Sequence, residues 1–280
     1  MLKPWLVQRK AALSARARAY GLPAPKGAFL VGVPGCGKSL AAKCLASAWG
    51  VPLLRLDMGA LKSKFVGESE ANIRKALQVA ETVAPCVLWC DEIDKALAGS
   101  TGQQGDGGVS ADALGALLSW MQERTAPVFV LATANDVRNL PPELLRKGRF
   151  DETWWVDLPT ARERAEILRS ALAEAASRST TWTQSGDGTP IECDKIASVT
   201  AGFTGAELAA LVPDAMFAAF ADGERQVTTA DLLNAAKTVV PLAKTAAEKL
   251  EALRQWAKGR ARPASTPEAN ETSGGRAIDL

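Results

Sequence analysis

The 280-residue chain contains no histidine. That absence excludes a Ser-His-Asp triad, a Cys-His nucleophile pair and any histidine-bearing zinc site. Cysteine is sparse and odd in number: Cys36, Cys44, Cys86, Cys90 and Cys193. No disulfide framework follows from such a set, and Cys86 and Cys90 lack the two-residue spacing of a zinc ribbon. The thiols read as those of a reducing compartment. No apolar run approaches the roughly 20 residues that a membrane-spanning helix needs. An excess of one charge is missing too: 33 Lys and Arg face 31 Asp and Glu, a formal net charge of +2, which speaks against a protein that coats nucleic acid. Acidic residues are lacking only at the beginning, where nine Lys or Arg precede the first acid, Asp57. With 47% hydrophobic residues the chain can build a sizeable core, and its chemistry must come from carboxylates, lysines and arginines.

Residues 1–24 read as a basic helix and lead-in, with Trp5, Leu6 and Leu13 apolar against Arg9, Lys10, Arg16 and Arg18. An acid-free, Arg-rich opening also suits a transit peptide. It runs to within a few residues of the first motif, however, and a docking or packing helix is the reading adopted. Residues 25–159 hold five short apolar runs (29–33, 53–56, 87–90, 128–132 and 154–156) separated by helical patterns that begin near Lys38, Ser69 and Ser110. Near-continuous apolar strands alternating with helices predict an α/β domain with a five-stranded parallel sheet covered on both faces. Residues 99–108 (GSTGQQGDGG) read as a flexible loop. From 160 to 244 helix follows helix, predicting an all-helical domain with capping boxes at Thr204/Glu207 and Thr228/Asp231 and a polar insertion at 177–190. Residues 245–280 read as one more helix and a disordered tail, polar and Pro/Gly-rich from Ala261 onward.

Gly32-Val33-Pro34-Gly35-Cys36-Gly37-Lys38-Ser39 matches G-x-x-x-x-G-K-[ST], between a predicted strand and a predicted helix. Glycines let backbone N–H groups converge on phosphate oxygens, and the helix that follows adds the positive end of its dipole. Lys38 is expected to reach the β- and γ-phosphates and Ser39 to ligate Mg²⁺, with Leu40 completing the loop's contact with a nucleotide. The next strand ends in Asp91-Glu92. Paired acids at the carboxyl end of a strand, beside a phosphate loop, lie where α/β sheets bind ligands. Asp91 is the candidate to hold Mg²⁺ through water and Glu92 the candidate base for the attacking water. Asp94 reads as a solvated charge. Cys36, beside helix-terminal amides, is expected to have a lowered pKa or else to be a neutral filler of the loop.

The order of motifs now resembles the AAA family of ATPases, from about Gly21 to Trp256. Leu131-Ala132-Thr133-Ala134-Asn135 is similar to the family's first sensor, a strand-end Asn that helps position the lytic water. Leu144-Leu145-Arg146-Lys147-Gly148-Arg149-Phe150-Asp151 is similar to its second region of homology, which implies that Arg146 and Arg149 reach the neighbouring subunit's ATP site as arginine fingers. Phe203-Thr204-Gly205-Ala206-Glu207-Leu208 looks like the lid motif, with Gly205 and Ala206 against the nucleotide. The hypothetical-reading-frame AAA proteins of plastids and cyanobacteria are especially alike, around 140–151 and 241–265. The resemblance implies ATP and Mg²⁺ as ligands and a ring of identical subunits, a hexamer in most of the family. It also implies a reducing compartment such as the cytoplasm or the plastid stroma.

In the same family an aromatic residue after the second strand lines the ring's pore. Lys64, Phe65, Val66 and Gly67 are the corresponding candidates, with Phe65 as a core residue the rival reading. Two departures stand out. Ser110-Ala111-Asp112 occupies a place where relatives usually carry Arg, and the sizeable N-terminal region of the reading-frame proteins is not seen, so substrate selection has no visible address. The leading expectation is an ATPase that remodels or threads a protein. An ATP-gated scaffold or adaptor with slow hydrolysis is the alternative, and a nucleic-acid-handling relative, suggested only by the basic opening helix, is a third.

Overall fold

The structure, a computed structural model, describes residues 1–57, 68–97, 111–138, 140–146, 148–179 and 190–266. After helices α1 (Leu2–Ala11) and α2 (Ala15–Ala19) the chain enters β1 (Gly27–Gly32), then α3 (Lys38–Trp49), β2 (Leu53–Leu56) and α4 (Glu68–Val83). There follow β3 (Cys86–Cys90), the short α5 (Ile93–Leu97), α6 (Ala111–Glu123), β4 (Val128–Ala134), a 3₁₀ turn at Pro142–Leu145 and β5 (Glu152–Val156). The helical part comprises α7 (Ala161–Ser177), α8 (Cys193–Val199), α9 (Gly205–Ala221) and α10 (Thr229–Thr238). The chain closes with α11 (Leu242–Thr245), α12 (Ala247–Ala257) and β6 (Arg262–Pro263).

The strands form one parallel sheet in the order β2-β3-β4-β1-β5-β6. Every residue of β1, β3 and β4 is buried, as the apolar runs require when both faces are covered. Alternate side chains divide between two cores. Phe29 and Val31 of β1 face the side where Ile73, Leu77, Leu117 and Met121 of α4 and α6 pack. Ala28 and Leu30 face the side of Leu45 and Trp49 of α3 and Trp5 of α1. There Trp5 meets Trp154 edge-on at 5.6 Å and Trp49 meets Phe129 at 4.8 Å. Among the described residues the sheet has six strands rather than the five expected. The sixth, Arg262–Pro263, pairs with Trp154 and Trp155 of β5. Ala264 N–H donates to the Trp155 carbonyl at 2.8 Å, and Leu2 N–H donates to the Ala264 carbonyl at 2.8 Å. The segment from Ala261 to Thr266 thus packs where the sequence predicted an unpacked tail. Two residues carry no hydrophobic period, and tertiary pairing alone recruits them to the sheet edge.

The helical part has its own core around Leu168, Leu172, Ile196, Leu208, Leu211 and Leu232. Capping boxes start three of its helices, at Thr160/Glu163, Thr204/Glu207 and Thr228/Asp231. Loss of one such hydroxyl typically costs about 1 kcal/mol. Helix α12 then returns to the sheet: Leu250, Leu253 and Ala257 join the first core, and Arg254 grips Asp157 beyond β5 with Nη2 to Oδ1 at 2.9 Å and Nε to Oδ2 at 3.0 Å.

Candidate active site

Because the sheet is parallel, the carboxyl ends of the adjacent strands β3, β4 and β1 lie along one edge. They deliver Asp91-Glu92, Asn135 and the loop at 33–37 to one place. Gly32, the last residue of β1, lies so close to β5 that a Cβ there would collide with the Val156 carbonyl oxygen. Gly35, at φ +75, turns the loop back and touches the lid. The Ala206 N–H donates to the Gly35 carbonyl at 2.9 Å, and a Cβ on Gly35 would come within 3.2 Å of both Thr204 Oγ1 and Ala206 Cβ. The loop and the start of α9 are therefore in backbone contact, and only small residues fit at that seam.

Lys38, on the first turn of α3, is 5% exposed, and its Nζ donates to the Gly32 and Val33 carbonyls at 2.8 Å each. Burial pulls its pKa down to about 8, against the attraction of Asp94, Glu92 and Asp91. Ser39 donates to Asp91 Oδ1 at 2.9 Å. The same oxygen accepts the Thr133 hydroxyl at 2.7 Å, while Thr133 Oγ1 accepts the Glu92 N–H at 2.9 Å. Asn135 Nδ2 donates to Glu92 Oε1 at 3.0 Å. A cavity of 590 Å³ is lined by residues 34–40, Glu92, Thr133 and Asn135 and closed from the lid side by Ile167, Gly205 and Ala206. Leu40 is 60% exposed at its margin. A larger cavity of 640 Å³ lies behind the loop, between α1 and α3, but none of the three acids of the 91–94 turn lines it.

Three site features differ from expectation or escaped it. Asp94, read as solvated, is 5% exposed, and its Oδ2 accepts the Asn135 and Asp136 N–H groups at 3.2 and 2.9 Å. Alternation of polar residues after a strand cannot distinguish an outward carboxylate from one that folds under the next strand's end. Burial raises the Asp94 pKa. Thr133 escapes a reading of motifs alone except as part of the sensor stretch, although a hydroxyl inside an otherwise apolar strand is a visible signal. The Cys36 thiol is pushed up to about 11, because burial outweighs the Gly205 N–H and Lys38, which favour the thiolate. The expected lowering does not occur, and the residue is a protonated filler at neutral pH.

The arginines lie at the other end of the sheet. Asp151 accepts the Lys26 and Gly27 N–H groups at 2.8 and 3.1 Å, Lys26 Nζ donates to the Gly148 carbonyl at 2.7 Å, and Phe150 stacks on Phe29 at 5.3 Å. This pins residues 148–151 beside the start of β1, five residue steps or about 16 Å from the loop at its end. Arg149 donates to the Glu143 carbonyl, and Arg146 is exposed. Lys147 lies outside the described residues, as do Lys64, Phe65, Val66 and Gly67, the loop at 99–108 and Ser110.

Residues 28–158 match the family described as ATPase family associated with various cellular activities (AAA), and residues 191–234 match the AAA+ lid domain. The chain belongs to the AAA family. The AAA chain is 45% identical over 265 residues to an uncharacterized AAA domain-containing protein, ycf46, of Guillardia theta, covering 94% of this chain and 50% of that protein. It is 45% identical over 266 residues to its counterpart in Pyropia yezoensis, covering 95% and 52%. The ATP-dependent zinc metalloprotease FtsH of Syntrophobacter fumaroxidans is 36% identical over 220 residues, 77% of this chain and 32% of that protein. The AAA chain spans about half the length of its ycf46 relatives. Among the described residues no helix is long and apolar enough to cross a membrane.

Proposed function

We propose that this AAA module hydrolyses ATP in sites shared between subunits of a ring and uses the cycle to remodel or thread a protein. The observation that carries the reading is the convergence of Lys38, Ser39, Glu92 and Asn135 on one cavity whose far wall is the lid's Gly205-Ala206 pair, with Asp91 bonded to Ser39 behind it. Ser39 Oγ and Asp91 Oδ1, 2.9 Å apart, are hard oxygen donors that fit Mg²⁺, and these two residues would hold it. When bound, the ion supplies charge neutralisation on the triphosphate.

The loop amides and Lys38 hold the phosphate oxygens. Glu92 accepts a proton from the attacking water, whose oxygen bonds to the γ-phosphorus while the bond to the bridging oxygen breaks, giving ADP and phosphate. Asn135 orients that water and the base. Arg149, about 16 Å of strand away from its own loop, serves a neighbour instead, with Arg146 beside it on the exposed surface. A trans arginine is worth about 10³ to 10⁵ in rate, or roughly 4 to 7 kcal/mol. The likeness to proteins named ATP-dependent metalloproteases supports a protein as the object of the work, with Phe65 the candidate grip. The free cysteines, three of them buried, fit a reducing compartment.

Glu92→Gln keeps the shape of the site and removes the base. ATP binding should persist while turnover falls by about 10²-fold or more. Parental turnover in this variant would remove Glu92 from the role and with it the proposed chemistry.

A further inference from the structure

Glu92 has φ +47, in the left-handed region that side-chain-bearing residues seldom adopt. Such a conformation persists only where its surroundings hold it. Four contacts do so here. The Glu92 N–H donates to Thr133 Oγ1 at 2.9 Å, and the Lys95 N–H donates to the Glu92 carbonyl at 3.0 Å. On the side chain, Asn135 Nδ2 donates to Oε1 at 3.0 Å and Lys95 Nζ to Oε2 at 2.7 Å. Lys95 therefore supplies two of the four, one through its backbone and one through its ammonium group. Of the other cations near the acids, Arg55 faces Asp91, at 3.9 Å from its Oδ2, and the Lys38 Nζ is taken up by the Gly32 and Val33 carbonyls.

We propose that Lys95 is a positioning residue for hydrolysis: its ammonium group fixes the Oε2 end of the Glu92 carboxylate while Asn135 fixes the Oε1 end. The inference rests on the assignment of Glu92 as the base. A carboxylate has about four acceptor sites, so two remain for water when both donors are in place. Held at both ends, the group cannot swing about its side-chain torsions, and misplacement of a reacting atom by about 1 Å lowers rates severely. The pair is largely solvated, with side-chain exposures of 67% for Lys95 and 40% for Glu92. Pairs of that kind add little to stability, so its loss should leave the fold intact and register in turnover.

The test is steady-state ATPase of the full chain carrying Lys95→Met or Lys95→Arg, with equilibrium binding of a fluorescent ATP analogue. Lys95→Met should lower kcat about two- to fivefold, with KM and analogue affinity unchanged within error, and Lys95→Arg should recover at least half of the loss. In a Glu92→Gln background, Lys95→Met should bring no further loss, because the lysine acts through that carboxylate. A Lys95→Met kcat at or above the parental value overturns the proposal. So does a loss shared between kcat and nucleotide affinity, a loss that arginine does not repair, or a further loss in the Glu92→Gln background. If Glu92→Gln is inactive while Lys95→Met is unimpaired, only the role of Lys95 falls. If Glu92→Gln turns over normally, the assignment of the base falls first.

Discussion

Thr133 carries more of the site than its single hydroxyl suggests. It donates to the carboxylate of Asp91 and accepts the N–H of Glu92, so one buried oxygen sets the spacing of both acids. Thr133→Val keeps the shape and removes both hydrogen bonds, leaving the Glu92 N–H without its partner. An unpaired buried polar group costs about 1–3 kcal/mol, and a loss of that size in the transition state corresponds to a fall in turnover of about five- to 150-fold. ATPase assays of Thr133→Val and Thr133→Ser check this, with serine expected to retain most of the rate. The residue scale is also where the sequence misleads most readily. Asp94 and Cys36 stand in motifs whose spacing is plain, yet their ionisation depends on burial. Burial is a property of what packs over them, and no local pattern encodes it.

At the scale of the element, the helical part is punctuated by three Thr-headed capping boxes, two of which are evident in the sequence as Thr204/Glu207 and Thr228/Asp231. The third, Thr160/Glu163, follows Pro159 directly, at the boundary where the helical part begins. The Thr228 box has a further partner: Arg225 clasps Asp231 with Nη1 to Oδ2 at 2.7 Å and Nη2 to Oδ1 at 2.9 Å. These bonds, with those from Thr228, hold the Asp231 pKa down to about 2 from its ordinary 3.8. A carboxyl with a lower pKa in the folded state contributes stability that is complete above its unfolded pKa and drains away as pH falls. The contribution of Asp231 should therefore fade between about pH 4 and pH 2. Thermal melting followed by circular dichroism should show a steeper decline over that interval in the parent than in Asp231→Asn. Equal slopes would mean that the clasp does not support the lid.

At the scale of the whole molecule, the two halves of the proposed reaction centre stand at opposite ends of the sheet. The acids and phosphate loop stand at the carboxyl ends of the strands, and Arg149 stands at the opposite end of β1, held by the Asp151 and Lys26 contacts. In the proposed mechanism a protomer with that layout needs a neighbour, and a head-to-tail contact must close into a ring to satisfy every site. Lys38→Ala and Arg149→Ala subunits should each be inactive alone. Mixed, they should recover ATPase activity at interfaces that join an intact loop to an intact arginine. No recovery in co-assembled mixtures, checked by size-exclusion chromatography, would argue that the sites are not shared. Helix α12 completes the layout by returning from the lid to the sheet, where Arg254 holds Asp157 just before the lid begins.

The sequence by itself determined the parallel α/β class, the succession of an α/β part and a helical part, and the motifs that mark the AAA family. Those features rest on local period and residue type, which survive without knowledge of the fold. Only the tertiary structure decided that Asp94 lies under the end of β4 and that Cys36 stays protonated. Tertiary packing also recruited Arg262–Pro263 as a sixth strand, set Lys95 against the carboxylate of Glu92 and placed Arg149 far from its own loop. Each of these depends on residues distant in sequence or on a backbone turn, and on the desolvation and direction that packing imposes, for which a linear pattern has no signal.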